Sequence, residues 1–115
     1  MNIRIENMKS ARTSEPVKNQ ILVHATTDKE EVSTFFSYES KIFTLETDNE
    51  TGESVLTLGE KFNYSVTTAK YSNQALERVL GVPVNKKVLE KALKNGSTML
   101  DSSKNPVKIV TTKEF

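Results

Sequence analysis

His24 is the only histidine in the chain, and imidazole is the side chain best suited to move a proton near neutral pH. It lies inside the apolar run Ile21 to Ala25, and with no cysteine and no second histidine it lacks companions for a zinc site or a nucleophilic triad. A structural or surface histidine is the expected reading. Carboxylates are plentiful, but Glu30, Glu31, Asp48, Glu50 and Glu53 fall in polar segments where solvation accounts for them, and none forms an evident acid/base pair. The four glycines, Gly52, Gly59, Gly81 and Gly96, are isolated, so no phosphate-binding loop is present. Serines and threonines read as caps, turn residues and strand surface. The expectation is a protein that is not an enzyme and needs no metal, cofactor or small-molecule substrate.

Binding chemistry is better represented. Lys87, Lys91 and Lys94 recur at helical spacing with Lys86 and Arg78 nearby, a basic stripe able to hold nucleic-acid phosphates; the alternative is a solvated lysine face. Lysine offers point charge without the bidentate base reading of arginine, and only three arginines exist, so sequence-specific recognition is not expected. The segment Phe62 to Tyr71 places Tyr64, Lys70 and Tyr71 near the start of a helix, where aromatic area and the positive helix end favour contacts. Tyr71 falls on the apolar stripe and reads as core.

The elements that must hold these residues follow from periodicity. With 115 residues, 36% hydrophobic and 27% charged, the chain has enough apolar material for one core. Asn7 to Lys18 reads as a polar loop, and Gln20 to Ala25 as a buried strand. A second strand carries Val32, Phe35, Phe36 and Tyr38, a third spans Lys41 to Thr47, and the turn Asp48 to Gly52 leads into Ser54 to Leu58. Thr68, Tyr71, Ala75, Leu76, Val79 and Leu80 then switch to helical spacing, with Ser65 as N-cap and Gly81 as stop. On that helix Lys70, Asn73, Gln74, Glu77 and Arg78 fall on the wet side. A second helix runs from Lys86 to Lys94 behind Asn85, and Pro106 to Thr112 reads as a last edge strand. The fold class is α+β: a small antiparallel sheet of three to five strands packed against one or two helices, in a single domain.

Net charge is +1, yet residues 1 to 60 hold 6 basic and 11 acidic side chains, and residues 61 to 115 hold 10 and 4. Such a two-ended molecule can steer a charged partner, and together with the terminal strand it is compatible with a homodimer. No run approaches the ~20 apolar residues of a membrane span, and Met1 to Lys9 lacks the apolar core of a secretion signal. A cytoplasmic protein is expected.

An ordered series of motifs adds a setting. Ser10-Ala11-Arg12-Thr13, Val17, Asn19-Gln20, Phe36-Ser37-Tyr38-Glu39-Ser40 and Tyr64-Ser65-Val66-Thr67-Thr68-Ala69-Lys70-Tyr71 resemble a family of small proteins from phages, plasmids and other mobile elements of Gram-positive bacteria. The resemblance spans residues 9 to 81. It departs from the family at Phe62, where a tryptophan is frequent, and at Val79-Leu80-Gly81, where Phe-Leu-Gly is usual. It implies a bacterial host cell, and among small proteins of such elements the anti-CRISPR inhibitors of type II RNA-guided effector nucleases look like the closest functional match. The partner implied is that nuclease, its guide RNA, or both. Arg12, Tyr64, Lys70, Arg78, Lys86, Lys87, Lys91 and Lys94 are the expected contacts, and residues 82 to 115, outside the shared motifs, form one domain with residues 1 to 81. The other reading is a nucleic-acid-binding accessory protein in replication, transfer or transcriptional control of the element.

Overall fold

The fold was analysed in a computed structural model that describes residues 1–63 and 65–115, with Asn63 by its backbone alone. Among the described residues seven strands form one sheet in the order β1-β2-β3-β4-β5-β7-β6. β1 (Asn2–Lys9), β2 (Pro16–Thr26), β3 (Glu30–Ser37), β4 (Ser40–Asp48) and β5 (Ser54–Gly59) make an antiparallel meander. The chain then leaves the sheet for a 3-10 turn, α1 (Val66–Leu80) and α2 (Lys86–Lys94). It returns as β6 (Thr98–Leu100) and β7 (Pro106–Thr112), with β7 parallel to β5 and antiparallel to β6.

The α+β class is as the sequence implies, but the sheet is larger and mixed rather than wholly antiparallel. Two strands escape the sequence reading. β1 occupies part of a segment without a continuous apolar run, and β6 is only three residues long. The terminal strand is not an edge: β7 lies between β5 and β6, and buries Val107 and Ile109. A parallel pair needs a long crossover, and α1 and α2 supply it. Tyr38 leaves its strand for the β3–β4 turn, at a φ of 57°.

Alternation sorts the side chains onto two faces. Leu22, Phe35, Phe43 and Leu58 are register partners across four strands, as are Leu45, Leu56 and Ile109 across three, and all are buried against the helices. The Phe35 and Phe43 rings stack at 5.6 Å between centroids. α1 contributes Tyr71, Ala75, Leu76 and Leu80, and α2 adds Leu89 and Ala92. Both helices begin where their caps dictate: the side chains of Ser65 and Asn85 accept hydrogen bonds from the Thr68 and Val88 amides. Gly81 ends α1 at a φ of 72°, a left-handed cap that glycine adopts without steric cost.

Candidate functional site

The motif residues of separate segments meet at one end of the sheet. Asn19, at a φ of 65°, presents its carbonyl to the Tyr38 amide at 2.6 Å, which fixes the β3–β4 turn against β2. Ser37, Ser40 and Ile42 then face the start of α1, where the Ser37 and Thr68 hydroxyls lie 3.3 Å apart and Ser65 donates to Thr68 at 3.1 Å. Together with Tyr38 and Lys61 they enclose a hollow of about 340 Å³. The hydroxyls bind one another and the Thr68 amide, so they pin α1 to the turn; Tyr38 and Lys61 stay exposed at the rim. What the opening presents to a partner is its rim, the Tyr38 ring and the Lys61 ammonium.

Arg12 and Lys70 are exposed and belong to this end, Arg12 in the β1–β2 loop and Lys70 in the opening turns of α1, its ammonium 5.4 Å from the centre of the Tyr71 ring. Tyr71 itself is buried, as its place on the apolar stripe requires. Tyr64 lies outside the described residues.

The second group of expected contacts sits on α2. Lys87, Lys91 and Lys94 are exposed and point away from Leu89 and Ala92, which the helix buries. Lys86 is also exposed and approaches Glu90 at 3.9 Å one turn on, a contact of little energetic weight at the surface. α2 therefore offers a lysine row on its outer face, flanked by Leu93, which is 38% exposed.

Arg78 does not belong with them. Its guanidinium donates to Glu6 Oε2 at 2.6 Å, and its side chain is 35% exposed. Much of the expected wet side of α1 is similarly engaged: Gln74 exchanges two hydrogen bonds with the Lys9 backbone, and Glu77 accepts from the Val84 amide. These side chains lash the helix to β1 and to the following loop.

One arrangement was not visible in the sequence. Glu6, His24 and Ser33 lie on three adjacent strands, with His24 Nε2 at 2.9 Å from Glu6 Oε1 and Nδ1 at 2.9 Å from Ser33 Oγ. The two ring nitrogens thus tie the Glu6 carboxylate to the Ser33 hydroxyl, with Nε2 donating to the carboxylate. The connectivity is that of a nucleophile, base and carboxylate, and of the two readings the sequence offered, structural or surface, the hydrogen bonds fit the structural one. Ser33, however, is in the middle of a strand paired on both sides, with His24 and Leu45 as register partners, and its amide serves the ladder. The hydrogen bonds, with the ion pair to Arg78, act as a rivet through β1, β2, β3 and α1. Burial raises the pKa of Glu6, but the hydrogen bond from His24 and the charges of Arg78, His24 and Arg4 outweigh it and hold the carboxyl below its ordinary value. A hydrogen bond reaching eighteen residues along the chain leaves no spacing signal to find.

Among the described residues no cluster of three or more histidine, cysteine or acidic side chains is placed to hold a metal ion, and no helix is long and apolar enough to cross a membrane. No protein-family model, no curated protein and no solved structure matches the chain.

Proposed function

We propose that this protein acts by binding, as an inhibitor that engages a type II RNA-guided effector nuclease or its guide RNA and blocks assembly or target cleavage. The observation that carries the reading is the row Lys87, Lys91 and Lys94, fully on the solvent side of α2 and outside the segment that bears the family-like motifs. A row of ammonium groups suits the regular phosphates of a structured RNA, or a channel built to receive it. The motif-lined hollow with Tyr38, Lys61, Arg12 and Lys70 around it gives a second contact at the end of the sheet. Contacts at two places favour occlusion of a large target over capture of a small molecule.

The test is target-DNA cleavage by several type II nucleases, with the protein added before or after guide RNA. Inhibition mainly in the first order supports interference with guide loading, inhibition in both orders places the block later, and the variant K87E/K91E/K94E should weaken either. Absence of inhibition with all of them would overturn this reading in favour of the nucleic-acid accessory protein. That protein would bind free RNA or DNA with an affinity falling steeply as salt rises.

A further inference from the structure

The face of the sheet opposite the helices is apolar over β1 to β3 and partly open to solvent there, while Thr44 further along it is buried. Ile3 and Ile5 on β1 are 63% and 64% exposed. Register places Ile5 beside Val23 and Ile3 beside Ala25, then Ile21 beside Phe36 and Ala25 beside Val32. The row continues through Thr34, Thr44, Thr57 and Val110. One corner is occupied by the chain itself: a Cβ on Gly59 would come 3.0 Å from the Phe115 ring, and Lys41 Nζ lies 4.9 Å from that ring's centre.

Charge on this face is divided along the strands. At the end with the β2–β3 and β4–β5 turns, Glu30, Glu46, Asp48 and Glu53 line one hollow with Lys29, and Lys108 stands beside Val55. The two turns are bound together, since the Asn49 amide donates to the Lys29 carbonyl at 2.9 Å. At the other end Lys41, the register partner of Phe36, stands on this face, and Lys9, Lys113, Glu39 and Glu114 are exposed where the strands end.

We infer that two copies of this chain pack through these open faces as a β-sandwich with the helices outside, about a two-fold axis lying in the sheet plane and perpendicular to the strands. That axis reverses strand direction between the copies, so the carboxylate end of each lies over the lysine end of the other, and the contact is self-complementary. An axis along the strands would set carboxylates over carboxylates. Sheets packed face to face interdigitate at a spacing of ~10 Å. Five strands at ~4.8 Å, each about seven residues long, project roughly 600 Å² before side-chain relief is counted, on the scale of the ~800 Å² per partner of a stable interface. The inference is independent of the proposed inhibitor function, because the α2 lysines and the hollow lie on the other side of the sheet.

Sedimentation equilibrium on the full chain tests it. The expected mass is twice the 12.9 kDa of one copy. I5T/V23T keeps β-branched side chains, and so the strands, while removing apolar contact from both copies; it should weaken dimerisation roughly a hundredfold. E46K and K41E should each weaken it, and the double variant should recover much of the loss. Circular dichroism confirms that each variant is folded. A wild-type mass of one copy at ~100 μM, well above the dissociation constants of stable interfaces, would overturn the inference. So would a dimer indifferent to I5T/V23T, which would have to be built on an edge strand.

Discussion

The two faces of the sheet are made from the same strands and alternate residue by residue, yet they carry different kinds of side chain. The covered face is filled with large side chains in mutual contact, Phe35, Phe43, Leu22 and Leu56 among them, all fully shielded. The open face carries β-branched residues that satisfy strand geometry whether or not anything covers them: Ile3, Ile5, Val23, Val32, Thr34 and Thr57. Burial on the first face stabilises the fold itself. Residues on the second can change with little cost to the isolated chain, which leaves them free to serve contacts with another molecule.

Substitutions break this comparison most directly where the difference is greatest. F35A should cost about 3–5 kcal/mol in chemical denaturation, because it empties a shielded site and loses the stack on Phe43. G59A, on the open face but under Phe115, should cost about 1–3 kcal/mol, since the new Cβ would also meet the Ile42 carbonyl at 3.1 Å. Combining it with F115A should recover only the part due to the ring. A G59A cost that F115A leaves unchanged would show that Phe115 does not rest there.

Removing the charge of the rivet by E6Q should cost about 1–2 kcal/mol at neutral pH, as Arg78 and His24 then face an uncharged amide in place of a carboxylate. Because folding lowers the Glu6 pKa, its contribution is complete above the unfolded-state value of about 4.3 and is lost as pH falls through the lower folded value. Wild type should therefore lose stability over that acid window and E6Q should lose less. Parallel pH profiles for the two would remove the electrostatic role. S65A and N85A should each cost about 1 kcal/mol in thermal unfolding through loss of a cap. K87E/K91E/K94E should cost no more than about 1 kcal/mol, from carboxylates set in the last turn of α2, because these ammonium groups are exposed.

Local signals served the sequence reading well where local physics decides. Ser65, Gly81 and Asn85 mark helix ends through bonds spanning three or four residues, and the structure places the ends there. β1 failed that test because its alternate residues divide between an uncovered face and a polar cluster: Ile3 and Ile5 on one side, Arg4 and Glu6 on the other, with only Met8 fully buried. The position of β7 failed because nothing local says which strand it will join. Lys87, Lys91 and Lys94 were legible as one face from their spacing, whereas Arg78, at equally suitable spacing, is committed to Glu6 seventy-two residues away. The hollow at the sheet end brings together Ser37, Ser65 and Thr68, which the motif series places in order along the chain without saying that they meet.

The parallel pairing of β5 with β7 also constrains how the chain can be made. Leu56 must wait for Ile109, so during synthesis the meander and α1 are available to fold while β5 still presents a bare edge. Closing a loop of that length is slow compared with forming the hairpins. In that interval the nascent chain exposes an unpaired strand that carries Leu56, Thr57 and Leu58, a template for pairing with another nascent chain. A frameshift or stop codon before Pro106 would make that transient state permanent, and its product should aggregate rather than persist as a smaller folded protein.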